Sequence, residues 1–350
     1  MKKYITKVIL FLSPIIFLQG FTMLFYSTDK GDLLRLGYIM DIFNYSYRNI
    51  FKDEIHRNIY FYKISDTNLN TQNKYTVLTV GDSFSEQNGN GYQNYLAEND
   101  SIKVIHFDKF LHDNPIQSLY GILNGDLLDN LKVDYIILQS VERYFVNSAK
   151  EINRDKIVHK ESLIKDIKDH KVYLNDEHII DKLFSDRIFK FPLYNVLYLF
   201  DDNAYDSQTY RVKTIQNLFS IDKNELLFYF KDLKNLETNN NLEFVFKLNQ
   251  ELNILSNKLK EKDIKLIVLP SPDKFDFYYD YIVDNKKYTK PLFFDHLEKM
   301  PKDYLYVNSK QILREEMKNK KDIYFYDDTH WSPWAAKVIA NELAKIITRM

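Results

Sequence analysis

Four short apolar runs, separated by longer amphipathic stretches, are the feature that most restricts how this chain can fold. The runs cover residues 75–80, 102–106, 135–139 and 264–269. Their length and apolar content are typical of strands that are buried on both faces of a parallel sheet. Right-handed crossovers join such strands and carry helices over both faces. The pattern therefore predicts an α/β fold with a parallel sheet flanked by helices.

Helical patterns occupy the stretches between these runs. Residues 119–131 carry leucine and isoleucine near helical spacing, although Gly121 and Gly125 weaken a helix there. Residues 242–262 show a clearer apolar stripe directly before the fourth run. Near the end of the chain, an aromatic strand is expected before Asp327, and an amphipathic helix is expected after His330.

Residues 1–28 contain the longest apolar segment. No charged residue lies between Lys7 and Asp29, and a helix of that length crosses about 30 Å of hydrocarbon. Lys2 and Lys3 precede the segment, and the positive-inside bias places the short N-terminus in the cytoplasm and the remainder outside. No small-residue cleavage pattern follows, which favours an uncleaved anchor over a signal peptide. The sequence thus predicts a single-pass membrane protein with an extracytoplasmic domain.

The rest of the chain divides where its composition changes. Residues 29–73 mix polar and aromatic side chains, which suits a juxtamembrane connector, with some helix expected around residues 32–47. Residues 74–350 carry the strand and helix pattern and form the main domain. Within it, residues 147–241 lose that pattern and are too long for a plain loop, so an inserted subdomain is expected. The aromatic run at residues 189–200 is interpreted as packing.

Charge and cysteine content exclude several classes of function. The formal net charge is -1, which gives no reason to expect a nucleic-acid partner. The chain has no cysteine, so disulfides, thiolate metal sites and cysteine nucleophiles are excluded.

Ser83 is the candidate nucleophile. It follows the first apolar run in the sequence Gly81-Asp82-Ser83, and such residues also end strands and begin helices for purely local reasons. However, open α/β sheets place reactive groups at the carboxyl ends of their strands. A helix beginning at Ser83 would also offer backbone N–H groups to an oxyanion. A serine nucleophile further requires a base and an orienting acid.

His330 is the candidate base. Asp327 and Asp328 are both close enough in the chain to bond its Nδ1 atom, which would leave Nε2 free to take a proton. The other seven histidines lack such a partner pattern. Metal ligation is the rival use of an Asp/His cluster, but no second histidine or acidic cluster with ligand spacing lies nearby in the sequence. We therefore expect no metal and no cofactor.

Four segments carry a resemblance to a known family. Gly81-Asp82-Ser83-Phe84 and Asp328-Thr329-His330-Trp331 resemble the serine and Asp/His blocks of the SGNH (GDSL) hydrolase superfamily. The Asp-x-His-Trp form is similar to that of alginate O-acetyltransferase domains. Residues 133–145 are similar to the strand of that group that ends in Glu-Arg, and residues 266–278 are similar to its strand that leads into Pro-x-x-Lys. The resemblance implies an SGNH-hydrolase-like, flavodoxin-like parallel sheet.

The same resemblance implies roles for the candidate residues. Ser83 would be the nucleophile, His330 the base and Asp328 the orienting acid. The more general spacing of the superfamily, Asp-x-x-His, would select Asp327 as the acid instead, and the sequence leaves both open.

The oxyanion-binding blocks of the superfamily are not evident. The backbone N–H of Ser83 is one candidate donor, and Asn114 or Gly121 stands near the position of the second block. The third block reads Gln139-Ser140-Val141-Glu142-Arg143 and lacks the Gly-x-Asn-Asp pattern. Arg143 either supplies positive charge at this point or pairs with Glu142 or Asp82 as a structural strut.

The resemblance implies an O-acetyltransferase that carries an acetyl group on serine and passes it to hydroxyls of a cell-surface or secreted polysaccharide. An integral-membrane acyltransferase of the MBOAT type, acting as acetyl supplier, is implied by the resemblance alone. With water as acceptor, the same acyl-serine would give a carbohydrate esterase. A protein that only binds glycan or acts as a scaffold is the non-enzymatic alternative.

Overall fold

The computed structural model describes residues 1–27, 30–40, 47–173, 187–221 and 223–349. Its helices are α1 (Lys2–Phe25), α2 (Asp32–Gly37), α3 (Tyr92–Ala97), α4 (Pro115–Asn124), α5 (Leu127–Asn130), α6 (Glu142–Ser148), α7 (Lys160–Tyr173), α8 (Arg187–Leu197), α9 (Phe230–Lys234), α10 (Leu236–Asn240), α11 (Leu242–Lys260), α12 (Lys274–Tyr278), α13 (Phe293–Glu298), α14 (Ser309–Met317) and α15 (Pro333–Thr348). Its strands are β1 (Tyr62–Lys63), β2 (Asn73–Val80), β3 (Val104–Phe107), β4 (Leu131–Val141), β5 (Thr209–Lys213), β6 (Glu225–Tyr229), β7 (Lys265–Ser271) and β8 (Leu305–Tyr306).

A six-stranded parallel sheet forms the centre of the fold. Its strand order is β1-β3-β2-β4-β7-β8, and every neighbouring pair is parallel. Without the two-residue edge strand β1, this order is the 2-1-3-4-5 arrangement of flavodoxin-like folds. The four predicted strands correspond to β2, β3, β4 and β7, so the predicted fold class is confirmed. The chain reverses its direction of winding between β2 and β4, and a crevice is expected at the carboxyl ends of those two strands.

Both faces of this sheet are covered, which explains why the central parts of the strands are apolar. In β4, Tyr135 and Ile137 point into one core layer, while Ile136 and Leu138 point into the other. Residues of α3, α14 and α15 complete the first layer, and residues of α4, α11 and α13 complete the second. The predicted helix at residues 242–262 is α11, and the predicted helix after His330 is α15.

Three local expectations were wrong. The helix expected at residues 119–131 is two helices, because the chain leaves α4 at Gly125, where a Cβ atom would lie 1.9 Å from the carbonyl oxygen of Val158. The helix expected around residues 32–47 ends at Gly37, where Tyr38 takes a left-handed conformation, and residues 41–46 lie outside the described chain. The aromatic segment before Asp327 forms only an isolated bridge between Tyr324 and Trp331.

The segment interpreted as an insertion has secondary structure of its own. It contains α7, α8, the antiparallel pair of β5 and β6, α9 and α10, while residues 174–186 and 222 lie outside the described chain. The pair of strands is not detached, because Leu227 and Phe228 belong to the same core layer as one face of the central sheet.

Helix α1 is, within the described residues, the one helix long and apolar enough to cross a membrane. A helix of this kind at an N-terminus serves as a membrane anchor or as a signal sequence. Its last turn packs on α8, where the Phe191 ring lies 6.2 Å from that of Phe21 and 5.7 Å from that of Tyr26.

Candidate active site

The turn after β2 is fastened to the end of β4. Asp82 accepts a hydrogen bond from the backbone N–H of Phe84 at 3.0 Å with one carboxylate oxygen and from that of Val141 at 2.5 Å with the other. The half-buried Ser83 therefore stands at the point where the winding of the sheet reverses.

The helix expected to begin at Ser83 is only a three-residue 3-10 turn, Ser83–Ser85, and the next α-helix begins at Tyr92. A single turn carries little dipole, so the help that such a helix would give an oxyanion is reduced to individual N–H groups. Within the described chain, the backbone N–H of Ser83 has no hydrogen-bond partner. It therefore remains available to bind an oxyanion.

Gln139, near the carboxyl end of β4, forms hydrogen bonds with this turn. Its Oε1 atom accepts hydrogen bonds from the backbone N–H of Asp82 at 3.1 Å and from Ser85 Oγ at 2.9 Å. Its Nε2 atom donates to Ser271 Oγ at 3.0 Å. Gln139 and Ser85 are both fully buried, so these bonds fix the backbone on which Ser83 is carried.

His330 lies beside the same turn. Its Nδ1 atom is 2.5 Å from Oδ1 of Asp328, and its ring centroid is 4.9 Å from that of Phe84, the residue after Ser83. The Nε2 atom is buried and has no hydrogen-bond partner within the described part of the chain. The structure thus brings the serine block and the Asp/His block together at one edge of the sheet.

Trp331 packs between the serine segment and the Asp/His segment. Its ring lies 5.1 Å from that of Phe84, and its Nε1 atom donates a hydrogen bond to Tyr324 Oη at 3.1 Å. The residue is fully buried. A tryptophan directly after the histidine therefore fixes the position of the imidazole by packing.

The two neighbouring aspartates have different partners. Asp327 accepts hydrogen bonds from Arg48 Nε at 3.2 Å and Nη2 at 2.8 Å, whereas Asp328 contacts the ring of His330. Arg48 reaches Asp328 only at 3.6 Å. The geometry therefore assigns the imidazole contact to Asp328 and leaves Asp327 in an ion pair with the connector.

The connector also forms hydrogen bonds with Thr329, the residue between Asp328 and His330. Asp32 accepts hydrogen bonds from the backbone N–H of Thr329 at 2.9 Å and from its Oγ1 atom at 2.7 Å. The N–H of Asp32 donates to Oδ2 of Asp328 at 3.3 Å. Sequence reasoning missed both Asp32 and Arg48, because nothing in residues 29–73 marks them before the fold brings them to the site.

Asp32, Asp328 and His330 offer ligand atoms within 4.8 Å of one another. The sequence around His330 does not show this cluster, because Asp32 comes from a distant part of the chain. All three side chains already take part in hydrogen bonds with one another or with Thr329. The cluster therefore acts as a network that holds the imidazole in place.

Lys274 fastens the loop that carries these residues. It ends the segment Pro270-Ser271-Pro272-Asp273-Lys274 and is fully buried. Its Nζ atom donates to the carbonyl oxygens of Phe325 at 2.6 Å, Tyr326 at 2.8 Å and Asp328 at 3.2 Å. Burial lowers the pKa of Lys274 to about 7, although the nearby charges of Asp327 and Asp328 act against this shift.

Charge and burial oppose each other at the Asp/His pair. Burial alone would lower the pKa of His330, but the charge of Asp328 and the hydrogen bond to it outweigh burial and raise that pKa above its ordinary value. For Asp328, burial would raise the pKa, but the charge of His330 and its hydrogen bond lower it well below the usual range. Burial, followed by repulsion from Asp328, raises the pKa of Asp32.

Arg143 lies close enough for its positive charge to act against the rise in the pKa of His330. It is a strut, but its expected partners were wrong. Its Nη1 atom lies 2.8 Å from Asp232 and 2.6 Å from Asp273, rather than against Glu142 or Asp82. Its Nε atom is buried without a partner among the described residues. Arg143 thus keeps one donor unused next to the site.

The other two oxyanion candidates are engaged elsewhere. Asn114 caps α4 by accepting a hydrogen bond from Gln117 N–H at 3.1 Å, and its amide donates to the carbonyl of Ser148 at 2.8 Å. Gly121 lies inside α4, where a Cβ atom would meet Val158 at 2.5 Å. Both positions serve helix capping and packing, and the structure does not bring them to the Asp/His pair.

One comparison with known proteins covers the carboxyl-terminal part of the chain. Residues 226–350 match the family model of the SGNH hydrolase-like domain of the acetyltransferase AlgX. The matched range includes Lys274, Asp328 and His330, whereas Ser83 lies outside it. The resemblance to this type of domain is therefore confirmed for residues 226–350. No curated protein and no solved structure matches the chain.

Proposed function

We propose that this protein is a membrane-anchored O-acetyltransferase that carries an acetyl group on Ser83 and transfers it to hydroxyls of a polysaccharide outside the cytoplasm. The contact of His330 Nδ1 with Asp328 at 2.5 Å, beside the Ser83 turn and with Nε2 left unbonded, carries this proposal. The family match of residues 226–350 supports acetyl transfer as the reaction type.

In the first half of the reaction, His330 Nε2 takes the proton of Ser83 Oγ, and the oxygen attacks the carbonyl carbon of the acetyl donor. The resulting oxyanion is stabilised by the free backbone N–H of Ser83 and by the positive charge of Arg143. The bond to the leaving group then breaks, and the leaving group takes the proton from His330. The products are the acetyl-serine and the protonated leaving group.

In the second half, a sugar hydroxyl gives its proton to His330 and attacks the acetyl-serine. The ester bond to Ser83 breaks, Ser83 Oγ takes the proton back from His330, and the acetylated sugar leaves. Asp328 stays ionised throughout and stabilises the imidazolium, because its pKa is held well below its ordinary range.

The cellular arrangement follows from α1. We propose that α1 remains as an uncleaved anchor, with the short N-terminus in the cytoplasm and the catalytic domain outside. An integral-membrane acyltransferase of the MBOAT type then delivers the acetyl group across the membrane. The lysines at the start of α1 and the absence of a cleavage pattern after it support this arrangement.

The test is to incubate the purified full chain in detergent with an activated acetyl ester, with and without candidate oligosaccharides, and to compare Ser83→Ala with Ser85→Ala. Ser85 is the matched control because its hydroxyl is bonded to Tyr92 and Gln139. We expect acetylated sugar from the wild type and, at a lower rate, from Ser85→Ala, which keeps the nucleophile but loses two buried hydrogen bonds that hold the turn. We expect none from Ser83→Ala. Melting temperatures of both variants show whether each one is folded.

Two other outcomes decide against this function. Free acetate without acetylated sugar, still dependent on Ser83, would identify the alternative, a carbohydrate esterase of the same superfamily type. Turnover that is unchanged in a folded Ser83→Ala variant would exclude both enzymes.

A further inference from the structure

Helix α8 is apolar on two opposite faces. Ile188, Phe191 and Tyr194 are buried against the protein. A second row is open to solvent, with exposed fractions of 52% to 74%, and consists of Phe189 (63%), Leu193 (52%), Val196 (55%) and, just past the helix end, Phe200 (74%). The spacing of four and three residues places Phe189, Leu193 and Val196 on one face of α8, and Phe200 follows in the turn directly after the helix. We call these four residues the α8 stripe.

The stripe changes the interpretation of the aromatic run at residues 189–200. Packing was expected for the whole run, but only one face of α8 packs. Single exposed apolar residues are common on protein surfaces. A continuous row of four with two phenylalanines is not, and such rows mark contact sites for another surface.

The position of α8 indicates which surface this is. Phe191, on the buried face, contacts Phe21 and Tyr26 at the end of α1. A helix of 24 residues is about 36 Å long at 1.5 Å per residue, which is slightly more than the hydrocarbon thickness of a bilayer. If α1 spans the membrane, its last turn lies at the boundary between hydrocarbon and headgroups, and α8 lies at the same level.

The charges at the start of α8 suit this position. The guanidinium of Arg187 lies 5.5 Å from the ring of Tyr26, and the ammonium of Lys190 lies 5.8 Å from the ring of Tyr38. Cationic side chains and aromatic rings beside an apolar helix face are typical of helices that lie in the membrane interface.

We propose that the α8 stripe inserts into the outer surface of the lipid bilayer next to α1, so that α8 is an in-plane membrane helix. The domain is then held at two places, by α1 across the membrane and by α8 along it. This fixes the height and tilt of the catalytic domain above the lipid. The inference rests on the proposed anchoring by α1, but not on the acyl-transfer chemistry.

The absence of native cysteine allows a direct test with single spin labels on the full chain. Leu193→Cys and Val196→Cys report on the stripe. Ile215→Cys is the matched control, because Ile215 is an equally exposed apolar residue (64%) outside α8, and Leu10→Cys (66% exposed) reports on α1 itself. Each labelled protein is placed in nanodiscs of phosphatidylcholine with phosphatidylglycerol, and collision rates with oxygen and with a water-soluble nickel chelate are compared.

We expect the ratio of oxygen to nickel collisions at positions 193 and 196 to be several-fold higher than at position 215. If the labels at positions 193 and 196 were in water while the label at position 10 was in lipid, the inference about the α8 stripe would be wrong, and the proposed anchoring by α1 would stand. All labels in water would overturn both. If the stripe labels were shielded only in native membranes and not in the nanodiscs, a protein partner rather than lipid would cover the stripe, and the inference would be wrong.

Discussion

Oδ1 of Asp328 lies 2.5 Å from Nδ1 of His330, and the same oxygen accepts a hydrogen bond from the backbone N–H of His330 at 3.1 Å. An ionised carboxylate in this position keeps the proton of a neutral imidazole on Nδ1. The lone pair is then on Nε2, the atom that is buried without a partner among the described residues. This is the tautomer and orientation that the proposed role of His330 as general base requires.

The first prediction separates the two neighbouring aspartates. Asp328→Asn should lower kcat/KM for acetyl transfer by about 10³- to 10⁴-fold, because an amide at this position favours the wrong imidazole tautomer. Asp327→Asn should lower it by less than about tenfold, because Asp327 binds Arg48 and not the ring. Initial rates with an activated acetyl ester measure both values.

The opposite ranking, with Asp327→Asn nearly inactive and Asp328→Asn active, would show that Asp327 orients the base. Melting temperatures of both variants are needed as a control, since loss of the ion pair with Arg48 also weakens the attachment of the connector.

The second prediction concerns pH. His330 must be neutral to accept a proton, and its pKa is raised mainly by the charge of Asp328 acting against burial. We therefore expect kcat/KM to rise with pH and to reach half its maximum above about 6.5, the ordinary pKa of histidine. The stability that the charged Asp328–His330 pair contributes to the fold has the opposite pH dependence. It is fully present below about pH 6.5 and is lost as pH rises through the raised pKa.

A rate profile between pH 5 and 9, corrected for the background hydrolysis measured with Ser83→Ala, tests this expectation. A midpoint clearly below the ordinary histidine value would mean that burial outweighs the charge of Asp328 in solution.

The strands could be predicted because burial on both sheet faces makes them continuous apolar runs, as in Ile136 to Leu138 of β4. The edge strands β1 and β8 have two residues each, too few to leave a periodic signal. The place of Ser83 followed from the rule that reactive groups lie at the carboxyl ends of parallel strands.

Other features depend on contacts between distant parts of the chain. Asp327 and Asp328 are adjacent, so their distance in sequence from His330 could not separate them, whereas Arg48 does so from 279 residues away. The same holds for Asp32, which bonds Thr329 across 297 residues. The length of the helix at Ser83 was mispredicted, because Asp82 caps a single turn that tertiary contacts with Gln139 and Val141 hold in place.

The third prediction concerns Lys274→Met. Three loop carbonyls lose their common donor, at about 1–3 kcal/mol for each group left buried and unpaired. Burial lowers the pKa of Lys274, so removal of this buried cation offsets part of that cost. We therefore expect a small change in melting temperature but a drop in kcat/KM of about 10²-fold, because the loop that carries His330 is no longer fixed.

Lys310→Met is the contrasting variant for that experiment. Lys310 Nζ pairs with the buried Asp276 at 2.6 Å, so its loss leaves a buried carboxylate without that cation. Lys310→Met should lower the melting temperature more than Lys274→Met does. If the smaller amount of folded protein fully accounted for the lower rate of Lys274→Met, Lys274 would act only on folding.

The last prediction tests whether the connector is part of the active site. A Cβ atom on Gly31 would lie 2.2 Å from the backbone carbonyl oxygen of Asp327, and the N–H of Leu33 donates to the same oxygen at 3.1 Å. The backbone angles of Gly31, φ -52° and ψ 154°, are open to alanine, so Gly31→Ala acts through this contact alone. Gly20→Ala is the matched control, because a Cβ atom there meets nothing within 4 Å.

Gly31→Ala should destabilise the fold by about 1–3 kcal/mol, as overpacking does. It should also reduce kcat/KM by about 10²-fold, because the backbone that must yield belongs to the loop carrying Asp328 and His330. Gly20→Ala should change neither value. Thermal unfolding and initial rates on the full-length variants measure the two effects. A fully active Gly31→Ala variant would mean that the connector can be displaced without moving the catalytic loop, and that residues 31–48 only link α1 to an independent site.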